Sequence, residues 1–325
     1  MEPNRRAWLA TAAGFLTIAS IPALSQSSFP SRSIRLVVPF PPGGSTDVAA
    51  RTIAERLAPE FGQPVIVDNR PGAGTTIAAA HVAAAAADGH TLYITGTISH
   101  ACAAALYTNL SYDPIKSFEA VGFVTESPFI LVVNSASPHR SVQDLFQAAR
   151  SQQGGVTYSS SGNGAAPHLI TELIGRSAGV KFLHIPYKGV GPALNALLAN
   201  EVQFTVADTG AVPLIAGGRL RALSVLSANP SSMLASVAGL SASGIRDVDI
   251  SSNLGILAPA GTPAAVLDRL HASLNRVLAQ EEVKAKLSGL GQMAVPRARA
   301  DFQNTLSSDV RRYASVVKEA GIRID

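Results

Sequence analysis

The sequence predicts an α/β chain of two lobes, each a doubly wound unit, joined by a hinge. Three observations carry this. A strand, loop and helix order occurs twice, over residues 36–96 and again over 155–208. The strands are apolar without clean alternation, as in sheets covered on both faces. The helices space their apolar residues at 3.6-residue intervals, as helices packed on a sheet do. Such alternation of strand and helix selects an α/β class with mostly parallel sheets.

Taken in order, the first segment lies outside that fold. Arg5 and Arg6 precede Ala7–Ile21, a run with no charged residue, and Ala23-Leu24-Ser25 supplies small residues before a cut at Gln26. Residues 1–25 thus have the layout of a secretory signal peptide, too short to be a membrane anchor. Asn4-Arg5-Arg6-Ala7-Trp8-Leu9 also resembles a twin-arginine export motif, with an ordinary export signal as the other reading. Both routes point to the periplasm. The only cysteine, Cys102, lies far from the cut, so neither a lipidated N-terminus nor a disulfide is expected.

The first lobe begins with the strand Ile34–Phe40 and the loop Pro41-Pro42-Gly43-Gly44. A helix from Ser45 follows, with Val48, Ala49, Ile53, Ala54 and Leu57 inward and Arg51, Glu55 and Arg56 outward. Next come the strand VIVDN, with Val65–Val67 covered on both faces, the loop RPGAG, an alanine-rich helix and the strand HTLYIT. The second lobe repeats this order with VTYSS, the loop SGNG, a helix near Ala165, KFLHIPY, KGVG, the helix ALNALLAN and VQFTVAD. Phe123–Val133 and Leu254–Ala258 are apolar segments read as the crossings between lobes. Beyond them, Thr262 is placed as an N-cap with Pro263 at the first helical position. Helices over 281–289 and 298–320 follow, the last closed by Gly321, as outer scaffolding. The lobes are assigned as 26–127 plus 254–325, and 128–253, with the C-terminal helices partly packed on the second lobe.

Each repeat therefore carries two glycine-bearing loops that open directly into helices. Helix N-termini present unpaired N–H groups and partial positive charge, so four of them converging on a cleft form an anion site. In the first lobe the candidates are Pro42, Gly43, Gly44, Ser45, Thr46 and Asp47, then Gly72, Ala73, Gly74 and Thr75, then Thr97 and Ser99. The glycines allow close backbone approach, and the hydroxyls pair an O–H with an N–H. Asp47 has a second role open to it, stabilising the start of its helix. His100 is either a donor to a ligand carboxylate or an exposed loop residue. In the second lobe Ser159, Ser161, Gly162, Asn163 and Gly164 offer hydroxyls and an amide suited to a hydrated carboxylate. His168 is read as packing or capping, Tyr187 as a contact, and Lys188 as either long-range attraction or a solvated lysine. Asp208 either meets a ligand donor or caps the helix near Val212.

Taken in order, PSRSIRLVVPFPPGGSTDVAAR, VIVDNRPGAG, SSSGNGAAPHL, HIPYKGVGPALNALL, LRALSV, ILAPAGTP and VVKEAGIRID resemble the Bug receptors, extracytoplasmic solute-binding proteins of tripartite tricarboxylate transporters. The likeness covers about residues 29–325. It implies a Venus-flytrap fold of the type II-like periplasmic binding protein kind, closing on a small carboxylate: a di- or tricarboxylate, an acidic amino acid or an aromatic acid. It also implies binding through loop N–H groups, hydroxyls and waters without an arginine clamp, and places Asp208 where amino-acid-binding relatives face an ammonium group. Thr75 and Thr76 depart from the family's glycine and asparagine, Asn253 from its aromatic, and the 234–240 segment LASVAGL from its LPTVAE version. The implied partners are the transporter's membrane subunits or the outer domain of a sensor kinase.

Other functions find less in the sequence. The formal net charge is only +4, without the concentrated basic stripe that nucleic acid requires. There is no Gly-x-Ser-x-Gly elbow, no H-E-x-x-H or other metal-ligand spacing among the seven histidines, no P-loop lysine and no dinucleotide fingerprint. The expectation is a monomeric receptor with no cofactor, no metal, no catalytic residue and no membrane insertion. A secreted hydrolase and a sensor's ligand-binding partner are the competing readings.

Overall fold

The computed structural model describes residues 29–151, 155–227, 234–245 and 250–323. The expected signal peptide lies outside them. Two sheets organise the chain. The first contains β1 (Ile34–Val38), β2 (Val65–Asn69), β3 (Thr91–Gly96), β4 (Phe118–Pro128), β10 (Ser251–Pro259) and β11 (Met293–Ala294), in the order β11-β4-β10-β3-β1-β2. The second contains β5 (Ile130–Asn134), β6 (Val156–Ser160), β7 (Phe182–Pro186), β8 (Phe204–Ala207) and β9 (Leu220–Val225), in the order β7-β6-β8-β5-β9. The helices are α1 (Ser45–Phe61), α2 (Thr76–Ala83), α3 (Thr97–Leu106), α4 (Val142–Ser151), α5 (Ala166–Ala178), α6 (Val190–Leu198), α7 (Val212–Ala216), α8 (Ala264–Leu278), α9 (Glu281–Gly289) and α10 (Arg299–Ala320).

Alternation along β1 explains why its sheet has two covered faces. Ile34, Leu36 and Val38 enter one buried cluster with Ala49, Ile53 and Leu57 of α1 and with Leu267, Leu270 and Leu274 of α8. Val37, on the opposite face, joins Ala78, Ala79 and Val82 of α2 and Phe302 and Leu306 of α10.

Several expectations need correction. The sheets are mixed: β1 with β2 and β3, and β6 with β7 and β8, are parallel, while the ladders of β4, β5, β9, β10 and β11 are antiparallel. The physical reason is that β4 and β10 carry the chain out of the first sheet and back, so they run in opposite senses. The outward passage is at Phe129, between β4 and β5; the return lies before Ser251, upstream of Leu254–Ala258, which is inside β10. β2 is an edge strand, and Ile66 on it is 49% exposed. Val48 is also exposed, while Asp47 takes the buried position beside it. Thr262 does not cap α8: its hydroxyl donates to Pro259 O at 2.7 Å, and Pro263 is the N-cap.

The C-terminal helix is no outer scaffold. Phe302 and Leu306 of α10 belong to the first lobe's core, whereas Tyr313, Val316 and Val317 join Leu169, Ile170 and Phe204 in that of the second. α3, which follows β3 of the first sheet, likewise reaches the second lobe's core through Ile98, Ala101 and Cys102. Gly321 closes α10 in the left-handed conformation, as expected. Among the described residues no helix is long and apolar enough to cross a membrane.

Candidate functional site

Between the lobes lies a cavity of about 870 Å³, within the range of small-molecule sites. The strand ends of both sheets open onto it, so the loops that leave those strands form its walls. From the first lobe it receives Pro42, Gly44, Ser45 and Thr46 at the start of α1, Gly72, Gly74 and Thr75 before α2, and Ser99 in the first turn of α3. From the second it receives Ser161, Gly162, Asn163 and Gly164 before α5, and Asp208 after β8. All of these were singled out in the sequence.

The N-termini of α1, α2, α3, α5 and α6 have as N-cap residues Gly44, Thr75, Gly96, Ala165 and Gly189, and none makes a side-chain cap. Beside the cavity, first-turn N–H groups not already bonded act as donors, with the positive ends of the helix dipoles; the Thr76 N–H of α2 is taken by Ala73 O, and Pro167 of α5 and Pro192 of α6 carry none. Among the described residues, no lysine, arginine or histidine lines the wall. Arg70 is held by Asp68 at 2.9 Å and Arg51 by Asp47 at 3.0 Å, both off the wall. The site can thus receive an anion through N–H and O–H groups alone.

Asp208 is the exception. Its carboxylate accepts from Gly210 N at 2.9 Å, capping a short 3-10 turn, and also borders the cavity. Burial pushes its carboxyl up from the ordinary range, opposed by the Gly210 N–H. Both roles read from the sequence are therefore geometrically open to it.

Other expected contacts do not reach the wall. Gly43 and Asp47 sit behind it: Asp47 accepts from Gly43 N and Asn69 Nδ2 at 2.9 Å each. Burial would raise its carboxyl, but bonds from Arg51, Gly43 and Asn69 outweigh burial and lower it. Ala73 forms the turn at positive φ. Thr97 donates to Asp309 Oδ2 at 2.6 Å, Ser159 donates to Ala193 O at 3.1 Å, and Tyr187 points outward to Glu201. Lys188 also lies off the wall. His100 is neither exposed nor a ligand contact; it is fully buried with Nε2 on Pro114 O at 2.9 Å. His168 packs and accepts from Gly164 N, as the packing reading holds.

The sequence did not single out Phe40, Leu106, Tyr107, Phe129, Val190 and Leu194, which give the cavity apolar walls, or Thr125, Ser127, Ser252 and Gln292, which add polar groups. A signal existed for some of these. Thr125, Ser127 and Ser252 interrupt otherwise apolar crossing strands, and a polar side chain there needs a partner or a cavity. Thr125 Oγ1 meets Gln292 Oε1 at 3.3 Å. Thr75, a β-branched residue at φ +89, holds a conformation that favours glycine.

Residues 49–322 match the sequence profile described as "Tripartite tricarboxylate transporter family receptor". The chain is 32% identical to protein BugT of Bordetella pertussis over 99% of both chains. Among solved structures, it is similar to R. palustris Rpa4515 with adipate, at 33% identity and TM-score 0.78, covering 91% of this chain and 99% of that one. MatC (Rpa3494) from Rhodopseudomonas palustris with bound malate is 31% identical, with TM-score 0.76 over 89% of this chain and all of that one. The architecture is the two-lobed, type II-like fold of periplasmic binding proteins.

Proposed function

The chain belongs to the tripartite tricarboxylate transporter family of receptors, and we propose that it captures one small organic carboxylate between its lobes and delivers it unaltered to that transporter's membrane subunits. The family is one of solute-binding receptors, not enzymes. The observation that carries the reading is a cavity walled from both lobes by uncapped helix N-termini and hydroxyls, with no basic side chain among the described residues. The adipate and malate bound by the two relatives support the ligand class.

Such a wall is strong enough. Helix termini contribute about 0.3–2 kcal/mol each, and hydrogen bonds to a charged group about 1.5–3 kcal/mol each. Several together offset the cost of association and reach the ~8 kcal/mol of micromolar affinity. Closure follows if the ligand bridges both lobes and so binds the closed form more tightly than the open one. We place the carboxylate against the Pro42–Thr46, Gly72–Thr75 and Ser161–Gly164 loops, in a periplasmic protein exported by residues 1–25. Asp208 favours ligands that also carry an amine, amide or hydroxyl donor.

Isothermal titration of residues 26–325 with aliphatic dicarboxylates, tricarboxylates, acidic amino acids and aromatic carboxylates tests this, followed by recovery of the ligand. Saturable binding with unchanged ligand supports a receptor. Conversion of the ligand, or no heat from any class, contradicts it.

A further inference from the structure

Behind the second lobe's cleft loop lies a polar network that the binding reading does not use. Ser160, fully buried at the end of β6, touches three groups: its Oγ accepts from Gly162 N at 3.2 Å, donates to Gly162 O at 2.9 Å, and meets His184 Nε2 at 2.6 Å. A hydroxyl has one proton, so all three bonds form only when His184 carries its proton on Nε2 and donates. His168 is bound in the complementary sense. Its Nδ1 accepts from Gly164 N at 3.0 Å, which an imidazolium cannot do. The two rings stack at 3.7 Å between centroids, 19° apart.

We infer that His168 and His184 are positioning residues: as a stacked neutral pair they fix the Ser161–Gly164 loop, His184 through Ser160 and His168 through the Gly164 N–H. The use of that loop rests on the receptor reading; its anchoring does not. Gly162 and Gly164 N–H groups are consumed inward, which leaves Ser161 and Asn163 to face the cavity. The titratable groups packed on the pair are Tyr158 of β6, stacked on His184 at 4.9 Å and 6.4 Å from His168, and Glu172 of α5, which accepts from the Tyr158 hydroxyl at 2.9 Å. Burial, and for His168 the neighbouring His184, pushes both imidazoles down to about 4, which keeps the pair neutral at ordinary pH. Acid protonates it, sets two positive rings face to face and removes the acceptor from Gly164.

Amide hydrogen exchange at Gly162 and Gly164 in the whole chain tests this, with Val132 in the interior strand β5 as the check on folding. His184→Phe keeps the ring but not the donor, and lowers protection of Gly162 by about tenfold or more; His184→Gln restores a donor and stays within about threefold of wild type. His168→Phe does the same at Gly164. In the wild-type chain the Gly164 amide shift follows the imidazole nitrogens through one titration below about pH 5. Unchanged exchange in both Phe variants with Val132 protected overturns the inference. Where a Phe variant also loses Val132 protection, the wild-type titration decides, and a flat Gly164 shift overturns it. Melting shifts with malate and adipate separate the two claims: none in wild type counts against these probes as ligands and leaves the loop result standing, whereas a full shift in a folded His184→Phe with a released loop denies the loop its role in binding.

Discussion

Replacing His100 by glutamine should reduce the acid sensitivity of the fold. His100 lies on α3, packed against the rings of Tyr93, Tyr112 and Phe118. It has no exposed surface, and among the described residues its Nδ1 has no hydrogen-bond partner, so a charge there is costly. Burial, partly opposed by the bond to Pro114 O, pushes the imidazole down from 6.5 to about 4. A histidine with a depressed folded value is protonated first in the unfolded chain. Its contribution is therefore complete above about pH 6.5 and is lost as pH falls toward 4. Linkage with those two values withdraws about 2 kcal/mol between about pH 7 and about pH 5. At about 2–4 °C per kcal/mol, that is a melting decrease of about 4–8 °C. Glutamine keeps an N–H for Pro114 O and does not titrate in this range. Melting curves of both proteins at the two pH values check this: the decrease in His100→Gln should be smaller by that amount, whatever its stability at pH 7. Parallel decreases would refute the reasoning.

Gly164→Ala places Cβ 2.2 Å from Leu106 Cδ1 at φ +72, so it should lower the melting temperature more than Gly218→Ala, where φ is a similar +68 and nothing lies within 4 Å; equal losses would contradict the contact between Leu106 of α3 and the loop before α5. Gly164→Arg should abolish carboxylate binding in titration calorimetry by filling the cleft. Asp208→Ala should weaken ligands bearing an amine or hydroxyl more than a plain dicarboxylate, and equal losses would remove that assignment. Phe302→Ala should cost about 3–5 kcal/mol in denaturant unfolding, because its fully buried ring fills the space left by the absent side chain of Gly255.

The parts of the site legible in the sequence are those fixed by local geometry. Gly44, Gly74 and the Gly162–Gly164 loop each end a strand and open a helix within a few residues, so their place at the cleft follows from chain order. Directions along a strand end were harder. Ser159, Ser160 and Ser161 are chemically alike, yet only Ser161 lines the cavity; Ser159 is used by Ala193 O and Ser160 by His184 and Gly162. Thr97 was misread because its partner, Asp309, lies 212 residues away. The same distance hid the role of α10, whose apolar residues divide between two cores, a division that periodicity on one helix does not encode. Antiparallel crossing strands escaped for a similar reason: β4 and β10 are apolar like the parallel strands, and only their pairing reveals their sense.

The central claim is that one carboxylate is held by both lobes through N–H and O–H groups. A crystal structure of residues 26–325 with the carboxylate that binds most tightly in titration tests it most directly. Carboxylate oxygens are expected within hydrogen-bonding distance of the α1 or α2 N-terminus on one side and of the Ser161–Gly164 loop on the other, with no lysine or arginine in contact. A ligand seated on one lobe alone, outside the cavity, or clamped by a basic side chain would contradict it.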